Sequence, residues 1–193
     1  LITIVPRVPG VTFQPAEQTI AWQPPFQSAD FVFAAPADLQ TDLSGWAMIY
    51  LGPLLIGQIA LSMTVSLAAD EQPSPQAAHG EMFEKVFASY SHRDTPVMEY
   101  FRSTSGQHGQ QLLVDIYDLR AGEHWAARLL DMIDEAQVFQ LFWSDYSAQS
   151  VYCRKEWEHA LQYVDLRPRF IQPVWWDAPM PPPPSELSHL HFQ

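Results

Sequence analysis

Val138-Phe139-Gln140-Leu141-Phe142-Trp143, then Ser144-Asp145-Tyr146-Ser147-Ala148-Gln149-Ser150, then Val151-Tyr152-Cys153-Arg154-Lys155-Glu156-Trp157-Glu158-His159-Ala160-Leu161: this stretch decides the fold. The apolar run reads as a buried strand, the polar serine-rich segment as a loop, and residues 150–164 as a helix. On that helix Cys153, Trp157, Ala160 and Val164 fall within roughly 60° of one another at about 100° per residue, a core stripe. Tyr152 and Glu156, four residues apart, share the flank of the stripe, roughly 60–110° from its centre. A flat ring beside a lone carboxylate, at the mouth of an α/β sheet, suits a planar base attached to a sugar.

Outward from this stretch the same alternation continues. Lys85-Val86-Phe87-Ala88-Ser89-Tyr90 reads as a strand and 95–104 as a helix. Leu112-Leu113-Val114-Asp115-Ile116-Tyr117 is a second strand, and 124–136 is a helix with a stripe of Trp125, Leu129, Ile133 and Ala136. Phe170-Ile171-Gln172-Pro173-Val174-Trp175 is a last strand. Strands alternating with helices imply a parallel sheet covered on both faces, whose ligands sit outside the carboxyl ends of the strands. Residues 89–93, 118–124, 144–150 and the segment after Trp175 converge there.

The first part of the chain is different. Short runs of alternating polarity are cut by Pro6, Pro9, Pro15, Pro24, Pro25 and Pro36, which exclude long helices. Asp30-Phe31-Val32-Phe33-Ala34 reads as a strand. Residues 47–50 and 54–65, joined through Leu51-Gly52-Pro53, read as a hairpin. The expectation is a small all-β sandwich over 1–67, with no constellation of catalytic side chains. Residues 68–82, rich in Ala, Pro and polar residues, read as a linker, and the α/β domain occupies 83–193.

The totals limit function. A net charge of -12 with ten Lys and Arg argues against nucleic acid and against anionic membranes. The longest apolar stretch, 46–65, is interrupted by Gly52, Pro53, Gly57 and Gln58, short of the roughly 20 apolar residues a span needs. A single cysteine allows no internal disulfide and fits a reducing, cytoplasmic location. The chain opens at Leu1 and reads as a fragment of something longer. The histidines have no ligand spacing, so no metal site is expected. Neither a GxGxxG nor a Walker pattern occurs, which weighs against a Rossmann dehydrogenase.

Four motifs in order carry a resemblance. They are Val86-Phe87-Ala88-Ser89-Tyr90-Ser91-His92-Arg93-Asp94; Asp118-Leu119-Arg120-Ala121-Gly122-Glu123-His124-Trp125; Ser147 to Glu156; and Phe170 to Trp175. With the proline-rich ending from Pro181, residues 83–193 resemble a TIR domain (the Toll/interleukin-1 receptor fold) of the bacterial kind. The resemblance implies a flavodoxin-like parallel sheet flanked by helices. It also implies cleavage of the nicotinamide–ribose bond of NAD to give nicotinamide and ADP-ribose or a cyclic product, in antiphage defence or cell-death signalling. Activity would depend on self-association with other TIR domains, in a homo-oligomer or filament. NAD is then a substrate, and no cofactor is needed.

By match of motif, Glu156 falls on the catalytic glutamate. Tyr152 stands where many members carry Trp. The implied substrate contacts are Tyr90, Ser91, His92, Asp118, Arg120, Trp143, Ser147 and Tyr152. Each has a plainer reading. Trp143 either stacks on a base or fills the core; Tyr90, Ser91 and His92 either touch the dinucleotide or close the strand; Arg120 either meets the pyrophosphate or is a solvated loop charge. Cys153 reads as core rather than nucleophile, and His159 either orients Glu156 or covers an exposed face. Two rivals to the enzyme stand beside it: a non-catalytic TIR scaffold acting by homotypic binding, and a receiver-like fold phosphorylated at Asp115 or Asp118. The second lacks the clustered acids such a site requires at the end of the first strand.

Overall fold

In a computed structural model, the structure describes residues 1–21, 28–36, 42–64, 80–106, 111–114 and 123–192. The chain divides into two compact units, Leu1–Met82 and Phe83–Gln193. No helix among the described residues is long and apolar enough to cross a membrane.

The first unit is built from antiparallel strands: β1 (Ile2–Arg7), β2 (Thr12–Gln14), β3 (Gln18–Ile20), β4 (Val32–Ala34), β5 (Asp42–Leu51), β6 (Leu54–Thr64) and β7 (Gly80–Met82). Five form one sheet in the order β3-β1-β5-β6-β7, while β2 and β4 pair separately. The expected hairpin is present as β5–β6, turned at Gly52 with φ of +57°, a backbone conformation that glycine adopts without steric cost. Gly45 is needed for another reason: a Cβ there would lie 2.2 Å from the carbonyl oxygen of Arg7 on neighbouring β1. Residues 80–82, read from sequence as linker, instead add β7 to the edge of β6. Polar, glycine-containing and short, that segment carries little apolar signal of its own and is recruited by the open edge of a long strand.

The second unit alternates β8 (Lys85–Ser89), α1 (Thr95–Gly106), β9 (Gln111–Val114), α2 (Glu123–Glu135), β10 (Val138–Trp143), α3 (Asp145–Gln149), α4 (Val151–Ala160) and β11 (Ile171–Trp175). The sheet runs β11-β10-β8-β9 and is parallel throughout. This is the expected helix-flanked parallel sheet of the flavodoxin type. All six side chains of β10 are buried, as an interior strand covered on both faces requires. Phe139 stacks on Phe87 of β8 with ring centroids 5.4 Å apart. Around them pack Leu129 and Ile133 of α2, Trp157 and Ala160 of α4, and Phe170 and Leu187. Pro173 lies in β11, which among the described residues pairs only with β10, where a missing N–H is tolerated.

One local reading is corrected. The serine-rich segment after β10 is a helix, α3, rather than a loop. Ser144 and Ser147 cap it reciprocally, each side chain meeting the other's backbone N–H, a device that satisfies two orphan donors at a helix start. The sheet core sets a testable scale. Phe139→Ala is expected to destabilise the second unit by about 3–5 kcal/mol. Leu166→Ala, on a side chain that is 78% exposed, should change stability by less than about 0.5 kcal/mol. Urea unfolding of the two variants beside the parent chain measures both.

Candidate functional site

β8 and β10 lie side by side, and the chain leaves them toward opposite edges of the sheet: β9 follows on the far side of β8, β11 on the far side of β10. Their carboxyl ends therefore form the topological switch point, where open α/β sheets present a crevice. The residues that follow each strand meet at this point.

After β8, Tyr90 is buried and Ser91 starts a short 3-10 turn, its hydroxyl oxygen accepting the Arg93 N–H. That turn delivers Asp94 inward. After β10, the Ser144 hydroxyl donates to Asp94 Oδ2 at 2.6 Å while its oxygen accepts the Ser147 N–H at 3.0 Å. The first N–H of α3, on Asp145, donates to Asp177 Oδ2 at 2.7 Å, which ties in the segment beyond β11. Above these, the Arg93 guanidinium lies 5.1 Å from the centre of the Tyr146 ring, a cation–π contact between the two loops. Ser150 caps α4 by accepting the Cys153 N–H. One turn later α4 presents Glu156, which is 1% exposed. Its Oε2 accepts the hydroxyl proton of Ser89, the last residue of β8, at 2.6 Å.

The sequence profile of the TIR domain matches residues 86–193, more than half of the chain. The chain belongs to the TIR-domain family. No curated protein matches. Four chains of solved structures do, among them the TIR domains of the activated Roq1 resistosome that directly recognises the pathogen effector XopQ. That likeness is at 24% identity and a TM-score of 0.41, over 48% of this chain and 57% of that one, so this chain spans little more than half the length of that one.

Within the TIR unit the residues singled out by sequence separate. Tyr152 and Glu156 do not form a pair on one flank. Glu156 joins Cys153, Trp157 and Ala160 in a buried arc, while Tyr152 is 52% exposed. The arc is one residue wider than apolar spacing suggests, because Ser89 gives Glu156 a polar partner inside it. Trp143 is core: it is 2% exposed, its indole N–H donates to the Pro181 carbonyl at 2.9 Å, and the Phe192 ring packs against it edge-on. It presents no face to a planar ligand. Ser147 is buried and spent on the α3 cap. Tyr90 is buried, with His92, which is exposed, 6.4 Å away ring to ring; Ser91 is half-buried between them. Asp118 and Arg120 lie outside the described residues. His159 neither orients Glu156 nor covers an open face: its Nε2 lies 2.6 Å from Asp134 Oδ1 on α2. Tyr163 donates to the same oxygen.

Sequence reasoning places residues 89–93 and the segment after Trp175 at this end of the sheet but does not single out Ser89, Asp94 or Asp177. Ser89 carries a signal in hindsight, as a polar residue closing an otherwise apolar strand. Asp94 and Asp177 carry none, because their partners are fixed only when the two loops meet.

The electrostatics follow from burial. Desolvation raises the Asp94 carboxyl above its ordinary range; the Ser144 hydrogen bond works against this and the nearby Asp177 charge adds to it. Burial likewise lowers His92, favouring the neutral imidazole. The Cys153 thiol is pushed up to about 12, mainly by burial and then by the Glu156 charge, so it carries no nucleophilic thiolate near neutral pH. At Asp134 burial acts upward, but the hydrogen bonds from Tyr163 and His159 and the charges of His159 and Arg167 outweigh it and leave the carboxyl below its usual value.

Two expectations can be checked without substrate. Because the folded Asp94 carboxyl binds its proton more tightly than the unfolded one, its contribution to stability is full below the unfolded pKa and is lost as pH rises through the folded pKa. Asp94→Asn keeps an acceptor for Ser144 and is expected to be more stable than the parent at pH 7, with the difference closing below about pH 4. Denaturant midpoints across that range measure it. A thiol reagent at about pH 8 should find no reactive cysteine in the folded chain and a single one after unfolding.

Proposed function

We propose that the TIR unit is an NAD glycohydrolase with Glu156 as its catalytic carboxylate. The observation that carries this reading is a fixed, buried carboxylate at the carboxyl end of the sheet, held by the end of β8 at the switch point. Removing a carboxylate from water costs free energy that hydrogen bonds must offset. An apolar residue at that place in the core would carry no such cost.

The chemistry needs little more. The bond from ribose C1′ to the nicotinamide nitrogen breaks, and its electron pair leaves with nicotinamide. The ribose gains oxocarbenium character, which a fixed carboxylate stabilises electrostatically. Water, or a hydroxyl of the same molecule in a cyclising variant, then bonds to C1′ and gives up a proton. Nicotinamide departs as a neutral ring, so no strong general acid is required. NAD is consumed as a substrate.

In this reading the chain works in the cytoplasm, in a bacterial-type defence or cell-death pathway, and is activated by assembly with further copies. Support for assembly comes from the site itself. In the single chain Glu156 is closed off from solvent, while Tyr146, Val151 and Tyr152 on the adjoining helices expose large apolar surface. A partner seated on that surface would supply both the shift that opens the crevice and its missing wall. The same burial favours the second reading, a TIR scaffold that acts by homotypic binding alone, since a carboxylate shut inside the core touches no substrate.

Nicotinamide release from NAD by the purified chain, dilute and crowded, separates the two. Release is expected under assembling conditions, and Glu156→Gln, which keeps the side-chain volume, should lower it by about 100-fold or more with an unchanged oligomeric state. Release that persists undiminished in Glu156→Ala removes Glu156 from catalysis. No release by the parent chain in any assembled state favours the scaffold.

A further inference from the structure

Ser89 has no exposed surface, at the end of a strand whose buried neighbours Val86, Phe87 and Ala88 are apolar. A hydroxyl placed there is unfavourable unless its proton finds an acceptor. It has one in Glu156 Oε2 at 2.6 Å; the Cys153 thiol, three residues earlier on α4, also meets the Ser89 hydroxyl, and Asp94 is the other carboxyl near this cluster. The terminal torsion of a glutamate is broad and roughly two-fold, so backbone and helix packing alone leave the plane of the carboxylate loosely set. A donor fixed at the end of the central strand β8 narrows that freedom. It also favours the charged form of the carboxyl over the neutral one.

We infer that Ser89 is the positioning residue of the site, setting the plane of the Glu156 carboxyl group at the switch point between β8 and β10. The catalytic consequence rests on the glycohydrolase reading; the coupling between Ser89 and Glu156 does not. Ser89 touches no substrate in this scheme and acts through Glu156. It therefore governs turnover more than substrate affinity, and the pH at which turnover fails on the acid side.

The full chain and its Ser89→Ala, Ser89→Thr and Ser89→Cys variants test this by two readouts. In the first, nicotinamide release under assembling conditions is followed as a function of pH. Ser89→Ala should lower kcat by about 10- to 100-fold, the range of a hydrogen bond to a charged group, with KM changed by less than about twofold. The acid limb of its profile should move to higher pH, and Ser89→Thr, which retains the donor, should restore both. In the second, the carboxyl carbon of Glu156 is titrated by carbon-13 NMR in glutamate-labelled chain, assigned by its loss in Glu156→Gln. Its midpoint should rise in Ser89→Ala. A midpoint and an acid limb that coincide with those of the parent overturn the inference, because a residue that merely fills space lowers the melting temperature without moving either. Should Ser89→Ala fail to fold, Ser89→Cys, a near-isosteric and weaker donor, carries the same test with a smaller rise expected. If the parent chain releases no nicotinamide, the glycohydrolase reading falls, and the carbon-13 titration alone decides the role of Ser89.

Discussion

The interior position of β10 governs the second unit. A strand buried on both faces needs a helix layer on each side and a hydrogen-bonded strand along each edge. β8 and β11 supply the edges; α2 and α4 supply Leu129, Ile133, Trp157 and Ala160 to the layer over Phe139, Leu141 and Trp143. Parallel strands joined by crossovers bring all carboxyl ends to one side of the sheet. With β9 beyond β8 and β11 beyond β10, the chain diverges between the two central strands, the place where open α/β sheets bind their ligands. That place is a consequence of topology before any polar residue is put there.

Three serines then decide what that place contains. Ser89 and Ser144 close the two central strands or follow them directly, and each donates to a carboxylate drawn from elsewhere in the chain: Glu156 from α4, Asp94 from the turn after β8. Ser144 and Ser147 meanwhile start α3 with no residue to spare. Buried polar groups of this kind are costly when only partly satisfied and rigid when fully so. The carboxylates are consequently held by short, well-defined bonds rather than by solvated ion pairs. Arg93 over Tyr146 adds a contact between the same two loops at the surface, where it is worth less.

Much of this was legible in the sequence, for identifiable reasons. β10 was read to the residue because an unbroken apolar run flanked by polar segments admits few alternatives, and α2 announced itself through Leu129, Ile133 and Ala136. Glu156 is singled out in the sequence by motif, and the structure buries it on α4. What escaped were features that depend on partners distant in sequence. Tyr152 and Glu156 look alike on a helical projection, yet Glu156 is buried against Ser89 while Tyr152 is half exposed. Trp143 admits both readings in sequence, and the Pro181 carbonyl and Phe192 ring against it place it in the core. In the first unit β1 was obscured by Pro6, which reads as a breaker. The pairing of β1 with β3 ends at Ile4, so Pro6 has a strand partner on one side alone, Ala47 of β5.

The bond between Ser89 and Glu156 joins residues 67 positions apart, which bears on how the protein comes into being. Loops of that length are slow to close compared with a local turn, and contacts across them form late in folding. On the ribosome, β8 emerges and waits through α1, β9, α2 and β10 before α4 arrives to meet it. A growing chain that stops anywhere before Glu156 has a sheet in the making and no site, so whatever this site does to the cell begins only once synthesis has passed it.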